Sequence, residues 1–262
     1  MREEIQPNTF IEVINEDLSD LDKRSDWSNA HAHFLSSLST EERTDFLARS
    51  RRFTLGTNDQ LFRAGDRSDN VYVVISGCIR LLQVSEAGKE SILWFNFPGE
   101  VFGIAESWSG NQRQIYAVAD QATEVLSIDR IAFVDFLGTH PEAALKAIGI
   151  LSARFRSLGQ SLVGLASDNV EKRIGRLLVR FALISSGAQG CDHILPNELC
   201  VNVRLRHQDI ANMIGASRPT VSTTLANLRK NGLLRTVNHH LHILGSSDYQ
   251  KRGLKTPISP LV

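Results

Sequence analysis

Cysteine is scarce: Cys78, Cys191 and Cys200 are the three in 262 residues. Their number and irregular spacing exclude a disulfide framework and a four-thiolate metal site, and a reducing compartment is expected. No segment approaches the roughly 18 consecutive apolar residues of a membrane span. Met1-Arg2-Glu3-Glu4 does not open a basic-then-apolar leader, so a soluble, cytoplasmic chain without membrane contact is predicted. Histidine is missing from residues 55–130, which excludes a metal triad of histidines and a carboxylate within the stretch read below as β-structure. No nucleophile, paired carboxylate or phosphate-cradling glycine loop stands out, and no enzymatic activity is expected. Cys191 and His193 with Cys200, and His239, His240 and His242, have the residue types of a metal site without its tetrahedral spacing. They read as ordinary loop and wing residues, which leaves His31 and His33 as the remaining candidate haem or metal ligands.

Net charge is also missing, since 29 Lys and Arg offset 29 Asp and Glu. The balance hides a gradient. Residues 1–30 hold 3 basic and 8 acidic side chains, residues 31–169 hold 13 and 16, and residues 170–262 hold 13 and 5. Positive charge confined to the C-terminal third is what a phosphate-binding surface requires, because much of its binding energy comes from counterions released when Lys and Arg neutralise phosphates. A solvated basic face has the same composition, so the charge needs a motif to interpret it. At 42% hydrophobic and 22% charged residues the chain is globular in composition.

Short β-branched and aromatic runs at Val71 to Ile75, Ile79 to Val84, Ile92 to Phe97, Ile115 to Ala119 and Val125 to Ile128 are separated by Gly65, Gly77, Gly88, Gly99 and Gly103. Strands with regular turns and no helical period between them predict an all-β sandwich or barrel rather than a doubly wound sheet. After Ile128 the period changes. Ile148, Leu151, Phe155, Leu158, Leu162 and Leu165 alternate by three and four residues, the seam of a helix that pairs with another helix. Pro141 marks its start, and Gly159 and Gly164 beside the seam allow close approach. Packing of the seam on the chain's own β-domain is the competing reading. Val170 to Ile184 reads as a second helix with Ile174, Leu177, Leu178, Phe181 and Ile184 on one side, and Ser185 to Gly190 as a loop.

From His207 the spacing is that of a helix-turn-helix: Ala211 at position five, Gly215 at nine, Val221 at fifteen. A small residue is needed where the second helix crosses and a glycine at the tight turn, while Val221, Ile210, Ile214 and Leu225 fill the shared core. Ser217 is placed to cap the second helix, with Pro219 in its first turn. A helix from Arg218 to Lys230 then presents Arg218, Thr220, Ser222, Thr223 and Asn227, the chemistries that meet a DNA groove. Arginine bonds guanine bidentately, and hydroxyls position phosphates. Gly232-Leu233-Leu234 and the alternation of Val237, Leu241 and Ile243 predict a two-stranded wing with His239 near its tip. A winged helix used only for protein contact is the alternative.

With these motifs the chain resembles the cyclic-AMP receptor protein and FNR family of bacterial transcription regulators, a group that includes a standard example of helix-turn-helix docking. The likeness runs from about residue 45 to 248. It rests on Leu61-Phe62-Arg63-Ala64-Gly65-Asp66, Val71-Tyr72-Val73-Val74-Ile75-Ser76-Gly77, Pro98-Gly99-Glu100-Val101-Phe102-Gly103 and Gly215-Ala216-Ser217-Arg218-Pro219-Thr220-Val221-Ser222. The resemblance implies an α+β fold: an N-terminal β-roll like a cyclic-nucleotide-binding jelly roll, a long dimerisation helix and a C-terminal winged helix-turn-helix. The expected bounds are 1–30 for an N-terminal extension with at most one short helix, 31–136 for the β-roll, 137–168 for the dimerisation helix, 169–250 for the DNA-binding domain and 251–262 for a tail. It also implies an effector-controlled homodimer on a near-palindromic operator, with RNA polymerase as a further partner. A sensor module acting through protein contacts without DNA is the competing function.

Departures from the family pattern bear on the ligand. Cyclic-AMP-binding members carry a glutamate after the Phe-Gly pair, and Ile104 at that position cannot bond a ribose hydroxyl. Arg113 matches the arginine that pairs with the cyclic phosphate, but Gln114 stands where a serine usually follows. One cysteine in the sensor half, Cys78, does not make the set that an iron–sulfur cluster needs, and no cofactor is identified. The nitrogen-control branch, which senses 2-oxoglutarate, resembles the chain in lacking the glutamate, in Arg113 and in Leu151-Ser152-Ala153-Arg154, although Gly159 replaces a glutamate of that branch. The expected effector site is therefore Arg113, Gln114, Gly103, Ile104 and Arg154, taking a small anion. The expected DNA contacts are Arg218, Ser217, Thr220, Ser222, Thr223, Pro219, His207, Gln208 and His239. Pro219 replaces a glutamate that accepts from cytosine, and Thr223 replaces an arginine, so the half-site should differ from the family's at those bases.

Overall fold

The computed structural model of the 262-residue chain describes Phe10 and residues 33–88, 90–184, 198–201 and 203–244. Readings of residues 1–30, His31, the loop Ser185 to Gly190, Cys191, His193 and the tail 251–262 lie outside the described residues. The chain divides into two compact units between Ser157 and Leu158.

In the first unit, α1 (Phe34–Ser37) and α2 (Thr40–Ala48) precede eight strands: β1 (Ser50–Leu55), β2 (Gln60–Phe62), β3 (Asn70–Ser76), β4 (Ile79–Val84), β5 (Glu90–Asn96), β6 (Val101–Phe102), β7 (Tyr116–Ala119) and β8 (Thr123–Asp129). They form two four-stranded antiparallel sheets, β1-β8-β3-β6 and β2-β7-β4-β5. The side-chain period of two explains why Val71 to Ile75 of β3 are apolar on both faces. Tyr72 and Val74 join Phe62, Ile79, Leu81, Phe102 and Ala117 in one core, while Val71 and Val73 join Leu126, Ile128 and the helices in another. At Gly77, between β3 and β4, φ is +84° and an added Cβ would lie 2.4 Å from the Ala122 carbonyl oxygen, so a side chain is excluded there.

The helix-side core explains three elements that strand periodicity does not reveal. α2 is opened by a capping box: the Ser39 hydroxyl accepts from the Glu42 N–H (3.2 Å) and Glu42 accepts from the Ser39 N–H (2.6 Å). α3 (Ile104–Ser109) follows β6, and α4 (Arg130–Thr139) is capped by Asp129, whose carboxylate accepts from the Ile131 N–H at 2.8 Å. The long helix α5 (Pro141–Ser167) therefore begins at Pro141, and residues 137–139 belong to α4. His140 between them has φ −126° and ψ 78°, because a residue before proline is driven out of the helical region. Ala143, Ala147 and Ile150 of α5 are buried with Phe34, Phe46, Phe133 and Phe136.

The second unit contains α6 (Val170–Ile184), β9 (Glu198–Val201), α7 (His207–Ile214), α8 (Arg218–Lys230), β10 (Leu234–Val237) and β11 (His240–Leu244), with a three-stranded sheet in the order β10-β11-β9. Ile174, Leu177, Leu178 and Phe181 of α6 are buried as the sequence predicts. Among the described residues no helix is long and apolar enough to cross a membrane.

Candidate nucleic-acid interface and sensor site

α7 and α8 meet over Ile210, Ala211, Ile214, Val221, Leu225 and Leu228, all buried. Gly215 ends α7 with φ +64°, and a Cβ there would lie 3.2 Å from Cδ2 of Leu165. Glycine thus serves both the left-handed turn and the close approach. The Ser217 hydroxyl accepts from the Thr220 N–H at 3.2 Å and caps α8, with Pro219 in the first turn. This fixes Ser217, Arg218, Pro219, Thr220 and Thr223 on the solvent side, all exposed. The uncompensated N–H groups and positive dipole end of α8 point the same way.

Ser222 differs from these. It is half-buried and its hydroxyl lies 2.8 Å from Nδ1 of His207, so the two residues tie the start of α7 to α8. Burial, with the nearby Arg229 and Arg218 charges, holds the His207 imidazole below its ordinary pKa. Gln208 is exposed and bonds Asn212 at 2.7 Å. Val237 pairs with His240, which leaves Asn238 and His239 as a two-residue turn with φ of +49° and +68°. That geometry matches the twist of a tight hairpin and puts His239 at the exposed tip.

Cys200, expected as an ordinary residue, is buried in β9 with its sulfur 3.7 Å from Nε2 of His242. The other ring nitrogen of His242 lies 3.1 Å from Glu198, which also pairs with Arg235. Among the described residues no three His, Cys, Asp or Glu side chains are grouped to hold a metal ion.

In the first unit Arg113 is 1% exposed. Its Nη1 donates to the Gly103 carbonyl at 2.9 Å and its Nη2 to the Asn70 carbonyl, while the carboxylate of Glu106 on α3 lies 3.6 Å away. The guanidinium stacks 4.3 Å from the Phe62 ring centroid and 5.7 Å from that of Tyr72. Burial lowers its pKa, opposed by Tyr72 and Glu106. Of the other expected members Gly103 lies against the guanidinium through its carbonyl, while Ile104, Gln114 and Arg154 do not gather around it. Ile104 packs in the helix-side core with Val71, Val73 and Val101, and Gln114 is exposed and bonds the Gln112 carbonyl. Arg154 forms a separate cluster, donating to Asn96 at 2.9 Å and Glu100 at 3.3 Å and lying 5.4 Å from the Trp94 ring. Glu106, Glu100 and the aromatic pair were not singled out from the sequence. Phe62, Tyr72 and Glu100 stand inside the family motifs without an assigned role, Glu106 stands outside them, and the partners of all four are set by the fold.

The seam of α5 is exposed from end to end: Ile148, Leu151, Phe155, Leu158, Leu162 and Leu165 retain 38–78% of their accessible surface. The competing reading, in which the helix packs on its own β-domain, describes a different stripe of it, that of Ala143, Ala147 and Ile150.

Two family models match the chain, the cyclic nucleotide-binding domain over residues 52–140 and the Crp-like helix-turn-helix domain over residues 172–245. The global nitrogen regulator of Synechocystis sp. is 30% identical over 183 residues, covering 69% of this chain and 79% of that protein. The CRP-like cAMP-activated global transcriptional regulator of Mycobacterium tuberculosis is 26% identical over 193 residues, 74% of this chain and 84% of the relative. Among solved structures, the c-di-GMP responsive global regulator CLP of Xanthomonas campestris superposes with a TM-score of 0.63 at 23% identity, over 80% of this chain and 100% of that one.

Proposed function

Since the chain belongs to the Crp-Fnr family of DNA-binding transcription regulators, we propose that it acts as a homodimer on a near-palindromic operator, under the control of a small effector in the β-roll. The observation that carries this reading is the apolar seam of α5, six side chains at heptad spacing on a helix whose adjoining stripe is already buried. Removing such side chains from water is worth on the order of 1.5–3 kcal/mol each, from which the cost of association is subtracted. A parallel pair has a two-fold axis, and that axis sets two copies of α8 one DNA turn apart, about 34 Å.

In each half-site Arg218 bonds a guanine edge, Ser217 and Thr220 hold phosphates beside the α8 N-terminus, and Pro219 and Thr223 shape the base preference. His207 and Gln208 approach the backbone at the start of α7, Ser222 does so beside them on α8, and His239 from the wing. Arg113 is the cation that selects an anionic effector, whereas Arg154 is engaged by Asn96 and Glu100 in a cluster of its own. RNA polymerase is the protein partner and the cytoplasm the location in this reading. The matched relatives are transcription regulators, and no catalytic step forms part of it.

Selection of bound duplexes from a random library, with the mass of the complex measured, tests the proposal. The expected result is an enriched inverted repeat carrying two chains. One chain per duplex, or no enrichment over random sequence, would overturn it.

A further inference from the structure

Both cations assigned to the effector site already have a carboxylate. Arg154 faces Glu100 at 3.3 Å and Arg113 faces Glu106 at 3.6 Å. The two pairs are built differently. Glu100 is 2% exposed, and the oxygen that faces Arg154 also accepts from the Trp94 indole at 3.4 Å, while Arg154 is further fixed by Asn96. Removing Glu100 would leave a buried guanidinium without its counter-charge, so this pair is part of the framework. Glu106 sits on α3, a helix of six residues that starts and ends at glycines with φ +80° and +69°. Its distance to Arg113 is that of an ion pair rather than a short hydrogen bond. The Arg113 guanidinium donates to the neutral carbonyls of Gly103 and Asn70, and its buried Nε has no hydrogen-bond partner among the described residues.

We propose that Glu106 is a tethered counter-anion in the Arg113 site, which an oxyanion effector, a phosphoryl or carboxylate compound, must displace in order to bind. The inference rests on the effector reading above and adds the mechanism of entry. A carboxylate held beside the cation by its own chain competes as an intramolecular ligand, whose effective concentration is in the millimolar range or above. The apparent affinity of a free anion is reduced by the fraction of molecules in which the site is open. Exchange of one anion for another leaves the charge around Arg113 balanced and frees the side chain that ties α3 to it, so α3 is the element that registers the effector.

Titration calorimetry on the full-length protein with inorganic phosphate, cyclic AMP and 2-oxoglutarate tests this and separates phosphoryl from carboxylate sources. Glu106→Gln is expected to bind at least one of the three about tenfold or more tightly than the unchanged protein, and Glu106→Gln combined with Arg113→Gln to lose that gain. Glu86→Gln, an exposed glutamate on a turn, controls for net charge and is expected to match the unchanged protein. Glu106→Asp, whose shorter side chain withdraws the carboxylate, provides an intermediate gain if Glu106→Gln proves unstable on heating. Equal affinities across the Glu106 series, or a gain that survives loss of Arg113, would overturn the proposal. Operator binding by the same samples distinguishes the two failures. Retained binding of an inverted repeat with no gain in anion affinity removes this inference alone, whereas absence of binding removes the effector-controlled DNA-binding reading it rests on.

Discussion

Arg218 is the first residue of α8, exposed beside a capped helix N-terminus whose backbone cannot bend away without disturbing Ser217, Pro219 and the buried Val221. A guanidinium there has the reach and the fixed origin that bidentate base reading needs. Arg218→Ala is expected to cost about 1–3 kcal/mol of operator affinity and to relax preference at one base pair of each half-site. Fluorescence anisotropy on specific and scrambled duplexes checks it, and an equal loss on both would reassign Arg218 to phosphate contact. Ser222 is a different case at the same scale. With its hydroxyl 2.8 Å from His207, it is occupied in holding α7 to α8, so part of its effect on DNA acts through that geometry. The spacing from His207 to Val221 made the exposed residues legible, because steric rules at Ala211 and Gly215 are local. It could not reveal the His207–Ser222 bond, which joins residues fifteen apart across the turn.

Helix α5 shows what an element adds to its residues. Its alanine stripe is buried by the first unit and its leucine seam is not, so one helix has two hydrophobic faces, of which the first unit covers one. Phe155→Glu with Leu158→Glu is expected to leave the fold of the first unit intact and to convert the dimer to a monomer, since two like charges would face their symmetry mates in an apolar seam. Sedimentation velocity measures the mass, and an unchanged dimer would refute the seam as the interface. The 3,4 period made this helix legible, and the alternating β-branched runs did the same for β3, β4 and β8. The helices around the first unit escaped because four to ten residues carry too little period to distinguish them from loops. Only local chemistry marks them: the Ser39 and Glu42 pair for α2 and Asp129 for α4. The effector cluster escaped for another reason. The family motif implies Ile104 beside Arg113 because it follows the Phe-Gly pair, but as the first residue of α3 it turns into the helix-side core, and no motif read along the chain reports which face a residue joins.

At the scale of the whole molecule, one buried and two half-buried imidazoles set a common response to acid. His33, His207 and His242 are all held below the ordinary pKa of 6.5, chiefly by burial. Around His242 the Glu198 carboxylate opposes the shift, while Arg235 and His240 favour it. A group with a depressed folded pKa binds fewer protons folded than unfolded in the window below 6.5, so its stabilisation is complete above that value and is lost as pH falls through the folded pKa. Thermal melts are expected to give a lower midpoint at pH 5.5 than at pH 7.5, and His242→Gln to narrow the difference. Coincident midpoints for the unchanged protein would contradict the argument. Leu165 has the widest consequence. It is the last residue of the seam and also the side chain nearest the glycine corner between α7 and α8. In the proposed homodimer, a roll of one seam against its mate would press that methyl group on the corner, so the pitch of the paired rods and the aim of the reading heads would be adjusted by the same contact.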